Sequence, residues 1–156
     1  MSTTERLKKG DSAPDFALQD QNEKTVKLED FKGKKLLLYF YPKANTPGCT
    51  KQALYLKDAR EELLSQGVEV VGVSPDYPEK QKKFEVKYQL NFPLLSDTEH
   101  EVSTRYGVWG EKKVCGKSVM GITRSSFLID EGGRIIEAFY KVTPKDTVPK
   151  ALKALG

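Results

Sequence analysis

Two nearly continuous apolar runs constrain the fold of this chain most, because each has the length of a strand that is buried on both faces. They are KLLLYFY, at 35–41, and VEVVGVS, at 68–74. Between them, apolar residues recur every three or four positions over 51–65, which predicts a helix. Gly67 then ends that helix. A strand, a helix and a second strand in this order predict layered α/β structure.

The rest of the chain continues this alternation. We predict a hairpin from 17–18 and 25–28, a helix over 77–88, a strand at 93–95, a helix at 99–106, a hairpin from 126–130 and 134–139, and a helix over 144–155. This order favours an α/β fold with a mixed central sheet, flanking helices and an N-terminal β-hairpin extension. The thioredoxin-like arrangement fits it. The length predicts a single domain over residues 1–156, with residues 1–12 loosely ordered.

Composition argues against several classes of function. The 26 basic and 22 acidic residues are scattered, which predicts solvated surface charge and no nucleic-acid partner. No run approaches about 18 apolar residues and the N-terminus lacks an apolar signal region, so we expect no membrane association. One histidine, two cysteines and no nucleotide-binding motif predict neither a metal site nor a cofactor. Two isolated cysteines favour a cytoplasmic, reducing location.

Cys49 is placed where the first strand gives way to the helix, in the segment FYPKANTPGCTKQA at 40–53. The first backbone N–H groups of a helix lack intrahelical partners, and the helix dipole is positive there. Both features stabilise a thiolate over a thiol, and thiolates are the reactive form of cysteine. Cys49 is therefore the candidate nucleophile.

The pattern Pro42-x-x-x-Thr46-x-x-Cys49 resembles the active-site motif of the peroxiredoxins. The longer text YFYPKANTPGCT is similar to the bacterioferritin comigratory protein/peroxiredoxin Q branch. Further matches are GDSAPDFAL at 10–18, LSD at 95–97, YGVW at 106–109 and GITRSSFLID at 121–130. The resemblance therefore covers nearly the whole chain, in order.

The resemblance implies a thiol-dependent antioxidant peroxidase that reduces hydrogen peroxide and organic hydroperoxides through a cysteine sulfenic acid. It implies that Cys49 attacks the peroxide, Thr46 holds it through its hydroxyl, and Pro42 shields the site from water. Arg124 would support the thiolate and the charge on the leaving oxygen. No metal or organic cofactor is implied. Thioredoxin, glutaredoxin or a small thiol would supply electrons, and we expect a monomer, which is common in this branch.

A second thiol is needed to resolve the sulfenic acid, and the two positions that often carry it in relatives lack cysteine here. One is Leu54, five residues after Cys49, and the other lies in the helix around 80–88. The remaining candidate is Cys115, in what we interpret as a loop at 110–118 that leads to Arg124, acting within one chain or across a dimer. The alternative is a one-cysteine cycle in which an external thiol regenerates Cys49.

Two other functions remain as alternatives. A thiol–disulfide oxidoreductase on the same fold usually needs a C-x-x-C pair, and Cys49-Thr-Lys-Gln52 lacks its second cysteine. A peroxide-sensing or holdase protein would use oxidation of Cys49 as a switch. Such a protein reacts once, whereas a peroxidase turns over with reductant.

Overall fold

A computed structural model describes residues 6–156. Its strands are β1 (Ala17–Gln19), β2 (Thr25–Lys27), β3 (Lys35–Phe40), β4 (Val68–Ser74), β5 (Leu94–Ser96), β6 (Trp109–Val114), β7 (Lys117–Ile122), β8 (Ser125–Ile129) and β9 (Ile135–Phe139). Its α-helices are α1 (Pro47–Ser65), α2 (Pro78–Tyr88), α3 (Glu101–Arg105) and α4 (Thr147–Leu155). A single 3-10 turn, Leu28–Phe31, follows β2 in this part of the chain.

The main sheet has the strand order β2-β1-β5-β4-β3-β8-β9. Strands β3, β4 and β5 run parallel, whereas the β1–β2, β1–β5, β3–β8 and β8–β9 pairs are antiparallel. The predicted mixed sheet and its N-terminal hairpin are confirmed.

Strand β3 is the centre of the sheet and separates two hydrophobic cores. Leu36, Leu38 and Phe40 pack into one core, while Leu37 and Tyr39 pack into the other, against helices α1, α2 and α4. All five side chains are essentially inaccessible to water. Because successive side chains of a strand point to opposite faces, the continuous apolar run at 35–41 is what a strand between two layers requires.

The segment at 110–118, which we expected to be a loop, is instead a β-hairpin. Strands β6 and β7 pair from Trp109↔Ile122 to Val114↔Lys117 and form a small sheet of their own. Cys115 and Gly116 make the two-residue turn, with φ values of 53° and 80°. Positive φ at both central positions is the requirement of a type I′ turn, which matches the twist of the strands.

Helix boundaries differ modestly from the sequence-based expectations. Helix α1 begins four residues before the expected start at 51, since Pro47 occupies its first turn. Helices α3 and α4 are shorter than the ranges 99–106 and 144–155. No helix within residues 6–156 has the length and apolarity to cross a membrane.

The segment before β1 is attached to the far edge of the sheet. The Gly10 N–H donates to the Ile135 carbonyl at 2.9 Å, and the Leu7 N–H donates to the Tyr140 hydroxyl at 2.9 Å. Leu7 and Gly10 are therefore tethered to the strand and loop at that edge by hydrogen bonds from their backbone N–H groups. Residues 1–5 of the segment expected to be loosely ordered lie outside the described residues.

Gly72, in β4, lies directly under the ring of Tyr39, its cross-strand neighbour. An added Cβ at Gly72 would stand 3.0 Å from two ring carbons of Tyr39, closer than carbon atoms normally approach. We expect Gly72→Ala to lower the free energy of unfolding by about 1–3 kcal/mol, the usual cost of overpacking a core. Denaturant unfolding followed by circular dichroism measures it.

Gly110→Ala is the matched control, since Gly110 is also in a strand but has no atom within 4 Å of an added Cβ. We expect its stability to stay within about 0.5 kcal/mol of the parent protein. Equal destabilisation by the two variants would contradict the close packing of β4 against Tyr39.

Candidate active site

Cys49 occupies the first turn of α1, three residues after the N-cap Thr46. The first intrahelical hydrogen bond runs from the Thr50 N–H to the Thr46 carbonyl, at 2.8 Å. The N–H groups of Gly48 and Cys49 thus belong to the free positive end of the helix. The Cys49 side chain is only 2% exposed and is a free thiol.

Arg124 reaches Cys49 because it directly precedes β8, which pairs with β3. The pair Phe40↔Ser125 aligns the start of β8 with the end of β3, beside the loop that leads to α1. The Arg124 Nη1 donates to the Cys49 Sγ at 3.4 Å. A guanidinium at this distance stabilises negative charge on sulfur. The structure therefore brings together the two residues that the sequence predicted from distant segments.

Gly48 makes room for this contact. An added Cβ at Gly48 would lie 3.1 Å from the Arg124 Nη2. Since the glycine lacks that atom, the guanidinium can rest against the first turn of the helix.

Gln52 is a site residue that our reading of the sequence did not single out. It is fully buried, and its Oε1 accepts a hydrogen bond from the Arg124 Nη1 at 2.8 Å. Its Nε2 donates to the Thr147 hydroxyl at 2.9 Å, and that hydroxyl donates to the Thr143 carbonyl at 2.8 Å. The available signal was its spacing, since a residue three positions after Cys49 lies on the same helix face.

The loop before α1 holds Thr46 through local contacts. The Thr46 hydroxyl donates to the Lys43 carbonyl at 2.8 Å, which leaves its oxygen lone pairs as acceptors. The Ala44 N–H donates to the Asp76 carboxylate at 2.7 Å, and Asn45 adopts the left-handed conformation, with φ 62°. Pro42 is half-buried and lines an open cavity together with Arg124.

The buried face around the thiol is aromatic. Cys49 packs in the same core as Tyr39 and Tyr41, whose rings stack with centroids 5.4 Å apart. Burial raises the pKa of both tyrosine hydroxyls well above their ordinary value. Both rings therefore stay uncharged, and Arg124 is the charged group that contacts Cys49 among the hydrogen bonds of residues 6–156.

Cys115 is exposed and lies in the turn at the tip of the β6–β7 hairpin. Arg124 follows the root of that hairpin. With about 3.3 Å per residue, Cys115 at the tip is roughly 20 Å along the strand from Trp109 at the root. The structure thus places the second cysteine at the opposite end of the hairpin from the residue that contacts Cys49.

The chain is similar to known proteins over most of its length. The chain matches the AhpC/TSA family over residues 9–138. A putative peroxiredoxin bcp of Haemophilus influenzae is 54% identical over 140 residues, which cover 90% of each chain.

Two solved structures have the same fold. A cysteine-to-serine mutant of PrxQ from Xylella fastidiosa superposes with a TM-score of 0.90 at 30% identity, over 97% of this chain and 96% of that one. The bacterioferritin comigratory protein of Xanthomonas campestris, described for its alkyl peroxide reduction activity, superposes with a TM-score of 0.84 at 33% identity, over 90% and 89%. The thioredoxin-like fold is confirmed, and the chain belongs to the AhpC/TSA family, within its bacterioferritin comigratory protein/peroxiredoxin Q branch of thiol-dependent peroxidases.

Proposed function

We propose that Cys49 is the nucleophile of this peroxidase and that it reduces hydrogen peroxide and organic hydroperoxides. The observation that carries the proposal is the 3.4 Å contact between the Arg124 guanidinium and the sulfur at the start of α1. Cationic and helix N-terminal surroundings are those in which cysteine thiolates react. The X. campestris relative, described for alkyl peroxide reduction, supports the inclusion of organic hydroperoxides.

The Cys49 thiolate attacks the terminal oxygen of the hydroperoxide, so that an S–O bond forms while the O–O bond breaks. Sulfur is oxidised and the peroxide is reduced by the same electron pair. The leaving alkoxide or hydroxide takes up a proton and departs as alcohol or water. Cys49 is left as a sulfenic acid, which a thiol must reduce.

Three further residues assist this step. Thr46 accepts a hydrogen bond from the peroxide O–H, which its free lone pairs allow. Arg124 stabilises charge as it moves from sulfur to the leaving oxygen. Pro42, beside Arg124 in the wall of the cavity, limits the access of water.

Gln52 is a positioning residue, since it acts on Cys49 through Arg124. Its amide oxygen accepts from the same nitrogen that donates to the sulfur. Its amide nitrogen is in turn held by Thr147 of α4. The Gln52 amide is therefore hydrogen-bonded at both its oxygen and its nitrogen, which fixes the orientation of the acceptor that Arg124 meets.

A one-cysteine cycle is the regeneration route that the geometry favours. A disulfide requires Cα atoms within roughly 7 Å of each other. Cys49 is buried in the first turn of α1, whereas Cys115 is exposed at the hairpin tip. We therefore propose that an external thiol, from thioredoxin, glutaredoxin or a small molecule, reduces the sulfenic acid of a monomeric, cytoplasmic enzyme.

Cys49→Ser should lower peroxide consumption to the rate without protein, because a serine hydroxyl is not ionised at neutral pH. The measurement is the loss of hydrogen peroxide with dithiothreitol as reductant. Cys115→Ser is the control and should keep turning over. Retained turnover by Cys49→Ser would contradict the assignment. A parent protein that reacts once with peroxide and does not turn over with reductant would favour the sensor alternative.

Intact mass after one equivalent of hydrogen peroxide, without reductant, tests the regeneration route. We expect the mass of added oxygen on Cys49, since Cys115, the second thiol of the chain, is exposed at the tip of the hairpin. Loss of two hydrogens within one chain would instead show a Cys49–Cys115 disulfide and would overturn the one-cysteine cycle.

Gln52→Leu should slow the single-turnover oxidation of Cys49 by about 10- to 100-fold, because a lost hydrogen bond to a charged group costs about 1.5–3 kcal/mol. Stopped-flow mixing with hydrogen peroxide measures this rate. Gln52→Glu should recover part of it, since a carboxylate still accepts from Arg124 but cannot donate to the Thr147 hydroxyl and partly offsets the charge of the guanidinium.

Lys51→Leu is the control for this pair, because its side chain is exposed on the same helix turn. Denaturant unfolding of all three variants separates a loss of stability from a loss of rate. Equal oxidation rates for Gln52→Leu and Lys51→Leu would show that Gln52 does not position Arg124.

A further inference from the structure

An open cavity of about 680 Å³ adjoins the site, and its charged lining is almost entirely basic. The basic residues of the lining are Arg6, Lys112, Lys113, Arg124 and Lys141. Glu111 is its one carboxylate. Because Arg124 also contacts the Cys49 sulfur, a molecule in this cavity lies beside the guanidinium that contacts the reactive atom.

Among these five cations, the proposed reduction of a neutral peroxide uses Arg124. Arg6 lies over the Tyr140 ring, 4.6 Å from its centroid, and the three lysines take no part in that step. In the part of the chain that the structure describes, none of those four forms an ion pair with a carboxylate. Clefts lined by charge of one sign concentrate ligands of the opposite sign. The cavity is therefore built to attract an anion toward Cys49.

Lys112 is the most constrained of these cations. Its Nζ donates to the Ile122 carbonyl at 2.7 Å, and its terminal methylenes lie against Gly121, where an added Cβ would stand 2.9 Å from Cε. An ammonium group has three donors, so this bond leaves others for a ligand. Partial burial and, after it, the charge of Arg124 lower the pKa of Lys112, and negative charge at Cys49 acts in the opposite direction.

The rest of the lining suits an organic ligand. Pro42, Ile122 and Val142 add apolar surface to the cavity wall. The volume also exceeds by far what hydrogen peroxide fills. A ligand that uses the whole cavity therefore has a hydrocarbon part and an anionic group.

We propose that this cavity binds the carboxylate of anionic organic hydroperoxides, with Lys112 as a specificity-determining residue. This inference rests on the proposed role of Cys49. The carboxylate pairs with Lys112 while the hydroperoxide group meets the sulfur, and the carboxylate itself is unchanged by the reaction. Lys113, Lys141 and Arg6 add attraction at longer range.

The test compares two hydroperoxides that differ in charge and by a single methyl group. They are cumene hydroperoxide with a carboxylate at the para position, and the methyl ester of that compound. Single-turnover oxidation of Cys49 gives a rate ratio of carboxylate over ester for each protein. We expect a ratio of about tenfold for the parent protein at low salt, which falls as salt is added.

Lys112→Gln should bring this ratio close to one, and Lys141→Gln should lower it in part. Lys117→Gln is the matched control, because it removes the same charge from the same hairpin outside the cavity lining, and it should keep the full ratio. The ratio cancels any general effect of a substitution on Cys49. A ratio near one in the parent protein, or a full ratio retained by Lys112→Gln, overturns the proposal.

A second arm separates the substrate from the reductant. The oxidised protein is reduced with neutral mercaptoethanol and with anionic mercaptopropionate. If Lys112 affects the preference between the two thiols but not the preference between the two hydroperoxides, the proposal is overturned, because the cavity then serves the reductant. Hydrogen peroxide tests the underlying role of Cys49: if it oxidises Cys49 while the carboxylate ratio is near one, only the present inference fails.

Discussion

The antiparallel pairing of β3 with β8 is the constraint on which the site depends. Cys49 and Arg124 are 75 positions apart in sequence, and neither lies in the other's element. The pair Phe40↔Ser125 aligns the chain leaving β3 with the chain entering β8 at one edge of the sheet. Because a slip of one residue in this register would turn the β8 side chains to the opposite face, the two cores also hold Arg124 in place.

A short chain of buried polar groups extends this positioning to the last helix. Gln52 and Thr147 have no exposed side-chain surface, and each is hydrogen-bonded. A buried polar group without a partner costs about 1–3 kcal/mol, so such a chain is stable only when every member is satisfied. Helix α4, which is far from Cys49 in sequence, thereby takes part in orienting the guanidinium.

The sequence predicted the elements whose formation depends on local pattern. Strands β3 and β4 are continuous apolar runs, and α1 follows a turn that contains Pro47, so the position of Cys49 at a helix start was accessible. The role of Arg124 came from its resemblance to a family motif, and the 3.4 Å contact with the sulfur agrees with it. Such long-range proximity cannot be read from periodicity alone, since it depends on strand register.

The features that the sequence did not predict lack a local signal. Strands β6 and β7 are rich in lysine and largely exposed, so they show neither an apolar run nor regular alternation. Gln52 looked like an ordinary helix residue, because its importance comes from contacts that form only in the folded chain.

The placement of Arg124 beside Cys49 depends on the lack of a side chain at Gly48. A Cβ at position 48, in the first turn of α1, would lie only 3.1 Å from the Arg124 Nη2. A residue that has no side chain and takes no part in the chemistry therefore leaves the room in which the guanidinium lies beside the sulfur. The size of residue 48 thus determines how closely the guanidinium can approach the first turn of α1. A substitution at this position should change the reactivity of the thiol while every reacting group stays the same.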